Sequence, residues 1–261
     1  VRFVPKPLAG TADASRGTTS WQTFLRNVAS AVIILGLGYL ALGALAELLA
    51  RTIPDRWEAR MFAPPDAAVA DTDRLARANE ILAKLTSSGE PRDLPYRLVL
   101  VPDPQPNAFA FPGGAIGVTT GLLDSVESEL GLAMVLGHEL GHHQYRHTLT
   151  AIGRALVFTV ARQLLFGGGE APLVGASLGI AEAGHSRRQE READELGLRL
   201  VYQTYGRTEG SLELYEDLLA RDADDQLRWA AFLRSHPVTS SRLDSLRRLQ
   251  AQLEAGKPVA D

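Results

Sequence analysis

Between Val28 and Ala46 the chain carries no charged side chain: VASAVIILGLGYLALGALA. This run restricts the fold more than any other feature, because as a helix it spans roughly 28 Å, close to the hydrocarbon thickness of a bilayer. Apolar residues occur all round the helix with no polar stripe, as expected in lipid. Leu48, Leu49 and Ala50 extend the stretch past Glu47. A transmembrane anchor over residues 28–50 is therefore predicted, with membrane lipid as its partner. The run is long for a buried core helix. It is also too long, and starts too late, for the apolar part of a cleaved signal peptide. Arg2, Lys6, Arg16 and Arg26 precede it against Asp13 alone, whereas Glu47, Arg51, Asp55, Arg56 and Glu58 follow it. The basic excess predicts a cytoplasmic N-terminal segment over residues 1–27. The remainder would then lie outside the membrane, in the periplasm of a Gram-negative cell.

The rest of the chain suffices for one sizeable core: of 261 residues, 45% are hydrophobic and 22% charged. A net charge of -4 argues against a basic face that reads phosphates, so no nucleic-acid partner is expected. The absence of cysteine excludes disulfide scaffolds, thiolate zinc fingers, iron–sulfur ligation and cysteine nucleophiles.

Pro54, Pro64 and Pro65 mark a connector over residues 51–69, and residues 70–261 form the predicted soluble domain. Asp71 opens an amphipathic helix through Leu75, Ala78, Ile81, Leu82 and Leu85, which Ser87, Ser88, Gly89 and Pro91 end. Tyr96–Val101, Asn107–Phe111 and Ala115–Thr119 read as short strands separated by a proline-rich turn and by Pro112-Gly113-Gly114. They predict a small β-meander or hairpin. From Asp124 onward the pattern is largely helical, with Asp124-Ser125-Val126-Glu127 as a capping box. The fold class is α+β, mainly helical, with a small β-meander and one preceding transmembrane helix.

The chemistry is concentrated in His138-Glu139-Leu140-Gly141-His142. Two histidines four apart share one helix face, so two imidazoles can converge on one ion. Glu139 projects about 100° round the helix, beside the ion, where a general base can take a proton from metal-bound water. His143 and His147 are also four apart, but lack a carboxylate directly after the first histidine and lie on another face. They are read as supporting or solvent-facing residues. A catalytic zinc site takes three protein ligands, so a third must come from elsewhere. The metzincin extension is not present, since Tyr145 and Thr148 stand where it needs Gly and His. The candidate is Glu190, in Ser186-Arg187-Arg188-Gln189-Glu190-Arg191-Glu192-Ala193-Asp194. Asp194 shares its face and can hold a ligand imidazole. Glu192 points about 200° away from Glu190, so both cannot bind one ion.

These two motifs look like those of the CAAX prenyl proteases and HtpX-type membrane zinc metalloproteases. Asn107-Ala108-Phe109-Ala110-Phe111-Pro112-Gly113-Gly114 is similar to the family's substrate-side strand and turn, and Ser235-His236-Pro237 with Arg242 resembles its C-terminal motif. The resemblance implies a zincin-like domain of the gluzincin type, with one zinc per chain on His138, His142 and Glu190 and Glu139 as base. It implies hydrolysis of extended or misfolded protein or peptide substrates, paired with the edge of Asn107, Ala108, Phe109 and Ala110. It places His236 near the metal, as a plug of the open position or a stabiliser of the transition-state oxyanion, a role open to Arg242 as well. The relatives named carry several spans, whereas Ala151–Phe166 is interrupted by Arg154 and Arg162 and followed by Gly167-Gly168-Gly169. It reads as a soluble helix or interfacial lid, so a minimal single-anchor form is expected and CAAX processing is not. Two other readings stand beside the endopeptidase. One is a zinc hydrolase acting on a small amide. The other is a membrane-anchored binding or chaperone-like protein whose structural zinc is closed by His236.

Overall fold

A computed structural model describes residues 20–62, 72–89, 91–166, 185–222 and 227–256. Arg2, Lys6, Asp13 and Arg16 of the expected N-terminal charge bias, Pro64 and Pro65, the Asp71 cap and the Gly167-Gly168-Gly169 stop lie outside the described residues. The chain divides into two units, residues 1–44 and 45–261.

Helix α1 runs from Trp21 to Thr52, well beyond the uncharged run at its N-terminal end. Among the described residues it alone is long and apolar enough to cross a membrane. Its aliphatic side chains stand open: Ile34 is 68% and Leu35 66% exposed. In water this would be a large contiguous apolar surface, which soluble monomers seldom present.

In the second unit, α2 (Asp55–Met61) occupies what the sequence offered as a connector. No hydrophobic period marks it, because buried charge holds it. Glu58 is buried and its carboxylate meets the Arg92 guanidinium, while Arg92 also binds Asp55 and donates to the carbonyl of His143 at 2.8 Å. Arg146 adds a second cation on Asp55 at 2.8 Å. The other Glu58 oxygen accepts the Gly113 N–H at 3.1 Å. Such buried charges are tolerated because each is paired and hydrogen-bonded.

Helix α3 (Thr72–Ser88) buries Leu75, Ala78, Ile81, Leu82 and Leu85, as its period predicts. Three strands follow: β1 (Arg97–Val101), β2 (Ala108–Phe111) and β3 (Ala115–Thr119). Their order is β1-β3-β2, with β3 antiparallel to β2 and parallel to β1. The β2–β3 hairpin is as expected; its turn is made by Gly113 and Gly114, both at positive φ. The meander is not, because β1 skips its sequence neighbour. The proline-rich link cannot continue a ladder. It is held against the next helix instead, where Gly121 N–H and the Thr120 hydroxyl both donate to the Asp103 carbonyl, at 2.9 and 2.8 Å. The consequence is that β2 is an edge strand.

The expected capping box is also displaced. Asp124 lies inside the short α4 (Thr120–Ser125), and a new helix, α5 (Glu129–Gln144), starts at Ser128, whose hydroxyl accepts from Gly131 N–H at 2.9 Å. Ser128 provides the same acceptor chemistry directly before the long apolar run, so it takes the cap. Next come α6 (His147–Phe166) and α7 (Arg187–Tyr205). Ser186 and Gln189 form a reciprocal capping box at the start of α7. Helices α8 (Glu213–Ala220), α9 (Ala230–Ser235) and α10 (Ser240–Glu254) complete the domain.

Every residue of α5 from Leu130 to His143 is buried. Its closest partner is α7, and small residues set the approach. A Cβ at Gly141 would sit 2.6 Å from Ala193 Cα, and one at Gly197 would sit 2.8 Å from the His138 backbone nitrogen. Only glycine permits these backbones to meet, and this crossing brings residues 138 and 142 over residues 190 and 194. Gly141→Ala should therefore destabilise the domain by about 1–3 kcal/mol through overpacking, despite gaining about 1 kcal/mol of helix propensity. A thermal melt of the detergent-solubilised chain checks this, and an unchanged or raised Tm would contradict it.

Candidate metal centre

His138 and His142 project from one face of α5, and their Nε2 atoms lie 3.0 Å apart. Glu190, in the first turn of α7, reaches His138 Nε2 at 3.6 Å and His142 Nε2 at 3.5 Å. A fourth group closes in from the chain after α9: His236 Nδ1 is 3.1 Å from His138 Nε2 and 3.3 Å from Glu190 Oε1. One donor atom from each of these residues falls within 4.8 Å of the others, and all four residues are buried.

The donor set fits a divalent cation. Asp194 accepts from His138 Nδ1 at 2.9 Å, which fixes the proton there and turns the Nε2 lone pair inward. Two inward-facing imidazole nitrogens and a carboxylate at these separations need a positive charge between them. Imidazole with carboxylate suits zinc among the common ions. Burial pushes His142 well below the usual histidine range, so its imidazole is neutral, as ligation requires. Burial alone would raise Glu190, but the surrounding imidazoles outweigh it and hold the carboxyl well below its usual value.

Glu139 stands apart from this set. It is fully buried, and neither carboxylate oxygen finds a hydrogen-bond partner among the described residues. It is within ion-pair range of His236, whose Nε2 is 3.4 Å from Oε1. Burial pushes the Glu139 pKa up, with the imidazoles of His236 and His138 pulling less strongly the other way. A carboxylate whose basicity burial raises can take up a proton, as a general base requires.

Behind the ligand set lies a charged scaffold. Arg242 donates to Asp194 through Nε at 2.8 Å and Nη2 at 2.7 Å, while Nη1 meets Glu190 Oε2 at 2.8 Å and the Pro237 carbonyl at 2.7 Å. Tyr215 on α8 donates to Asp194 at 3.0 Å. Burial would raise Asp194, but its bonds to His138 and Arg242 hold it low.

The β2 edge faces the same chamber. The carbonyl of Ala108 accepts from His236 Nε2 at 3.3 Å, and the Asn107 side chain accepts from Ser235 at 3.3 Å. Phe109 and Ala110 are buried beside them. The structure thus brings together every sequence-predicted residue, with two changes of emphasis. Arg242 directs its donors at Asp194, Glu190 and the Pro237 carbonyl, and His236 occupies both the metal cluster and the strand edge.

Of the two remaining α5-region histidines, neither is solvent-facing. His143 is buried against β3, its Nε2 3.2 Å from the Ala115 carbonyl, and burial lowers its pKa to about 4. His147 packs behind His142. His185 stacks on the His142 ring with centroids 3.9 Å apart. Neither Tyr215 nor His185 carries a spacing signal, since both arrive through tertiary packing.

A family model described as Peptidase family M48 matches residues 70–250. The chain is 30% identical over 189 residues to Mitochondrial metalloendopeptidase OMA1 of Schizosaccharomyces pombe, covering 70% of this chain and 55% of that protein. It is 28% identical to the Beta-barrel assembly-enhancing protease of Yersinia pestis, over 67% of this chain and 39% of that protein. It is 27% identical to Metalloprotease YcaL of Escherichia coli, over 81% of this chain and 84% of that protein. The chain spans about half or less of the length of the OMA1 relatives it matches.

Proposed function

Because the chain belongs to peptidase family M48, we propose that it is a membrane-anchored zinc endopeptidase, with residues 28–50 in the bilayer and residues 70–261 as the catalytic domain outside the cytoplasm. The observation that carries this is the buried His138–His142–Glu190 cluster with the buried carboxylate of Glu139 beside it. When bound, zinc would supply Lewis-acid polarisation of the scissile carbonyl and would lower the pKa of water toward 7. His138, His142 and Glu190 hold the ion. Glu139 takes the proton of the attacking water and delivers it to the leaving amine. Asp194 orients His138, and Arg242 is a positioning residue that aligns both carboxylates. An extended peptide adds to the outer edge of β2 at Asn107, Ala108, Phe109 and Ala110, so main-chain hydrogen bonds set its register.

His236 now fills that edge and faces the metal cluster, so this conformation is a resting form that substrate must open. The substrates are extended or misfolded protein segments, since a strand edge reads backbone and tolerates many side chains. Within the family the resemblance of the four motifs supports a reading beside the CAAX prenyl proteases and the HtpX type, as a single-anchor form for which CAAX processing is not proposed.

One observation favours a second reading. With His236 as a permanent fourth ligand the zinc would be closed and structural, and the protein a membrane-anchored binding or chaperone-like module. Cleavage of unfolded casein by the full chain in detergent separates the two. The endopeptidase reading expects cleavage that 1,10-phenanthroline abolishes and stoichiometric zinc restores, together with faster cleavage in His236→Ala if opening limits the rate. A chain that holds one zinc yet cleaves nothing, with or without His236, supports the structural site.

A further inference from the structure

The two ligand imidazoles are supported unequally. His138 has a carboxylate directly behind it, while behind His142 stands another imidazole: His142 Nδ1 is 3.0 Å from His147 Nδ1, and His147 Nε2 is 3.1 Å from Glu192 Oε2. We propose that His147 and Glu192 are positioning residues for the metal centre, forming a carboxylate–imidazole relay that fixes the tautomer and orientation of His142. The inference rests on the metal reading of His142 given above.

The local backbone is built for this contact. On an unbroken helix a residue five positions on lies about 140° round and cannot face back. The chain breaks between α5 and α6 at Tyr145 and Arg146, and Arg146 takes a positive φ of 56°. An arginine seldom adopts that conformation. Its guanidinium pins it there by donating to the Ala50 carbonyl and to Asp55, both at 2.8 Å. The break swings His147 beneath His142, where it is buried.

One arrangement of protons satisfies the whole chain of contacts. His142 Nε2 turns its lone pair to the cluster, so its Nδ1 carries the proton and donates to His147 Nδ1. His147 is then protonated on Nε2 and donates to Glu192. The carboxylate at the end thus selects the tautomers of two imidazoles in series, and makes the His142 Nε2 a better donor to a cation. This gives Glu192 a place that its orientation away from Glu190 left open. Arg188 holds Glu192 from the solvent side at 3.3 Å.

The test measures zinc affinity, by competition with a fluorescent chelator, on the full chain in detergent, alongside melting of the zinc-free protein. His147→Ala should bind zinc about 10–100-fold more weakly, the usual effect of losing an outer partner of a ligand. His147→Asn, whose amide oxygen can still accept from His142 Nδ1, should recover most of that loss. Glu192→Gln should weaken zinc severalfold in the natural background and have no further effect beside His147→Asn, where the relay is already cut. Glu192 is part-exposed, so this variant remains informative if His147→Ala does not fold. Unchanged affinity in Glu192→Gln, equal losses in His147→Ala and His147→Asn, or additive losses in the double variant would each overturn the relay. Failure of the natural chain itself to bind zinc would instead overturn the metal reading on which the relay depends.

Discussion

Glu139→Gln should keep the fold and one zinc per chain while cleavage falls by about 10²–10⁴-fold, the usual share of a positioned general base. The substitution preserves shape and removes only basicity. Glu139 touches none of the scaffold bonds, which run through Asp194, Arg242 and Tyr215. Nor does it belong to the donor cluster, so metal content should stay at one. Stability should change little, because a neutral amide carries less desolvation cost than the buried carboxylate but gives up the ion-pair contact with His236 at 3.4 Å. Metal analysis, a thermal melt and cleavage of a fluorogenic peptide read the three quantities on one preparation. Full retained cleavage would remove Glu139 from the mechanism. Loss of zinc together with activity would make it a structural member of the site.

What could be read from the sequence was whatever a single helix repeats. The four-residue interval in His138–His142 and in Glu190–Asp194 survives folding unchanged, because helical geometry fixes it wherever the helix lies. The apolar face of α3 and the uncharged run in α1 are legible for the same reason. What failed depended on choices between elements. Whether β1 pairs with β2 or with β3 is decided by how the proline-rich link packs on Gly121, where a Cβ would lie 2.2 Å from the Pro104 carbonyl oxygen. The order of α2 comes from Glu58, Arg92 and Arg146, which are distant in sequence and show no period. A continuous helix would carry His147 away from the metal, which leaves the choice between a supporting and a solvent-facing role open; the positive φ at Arg146 turns it back. A carboxylate such as Glu139 reads as a base from its position, but only the packed structure shows it fully buried and facing His236.

Glu190→Ala should lose zinc outright, and by more than the about 10–100-fold expected for an outer partner of a ligand. Three imidazoles would remain near one another, which by count alone suffice to hold an ion. Charge decides against them. Around the natural site the carboxylates of Glu190, Asp194 and Glu139 gather with the cation Arg242, whose Nη1 lies 2.8 Å from Glu190 and whose Nη2 lies 2.7 Å from Asp194. Removing Glu190 takes away one negative charge and the oxygen donor that reaches both α5 imidazoles, so an incoming divalent ion meets a less anionic pocket. In a buried setting that difference is poorly screened. Glu190→Gln separates the two contributions: it keeps an oxygen donor and loses the charge, and should fall between the natural chain and Glu190→Ala. Zinc-to-protein ratios after dialysis against a weak chelator give the order, and melts of the zinc-free proteins confirm that folded material is being compared. A ratio near one in Glu190→Ala would show that the ion is held by histidines alone, with His236 as the third ligand. The open position proposed for substrate would then have to be found elsewhere.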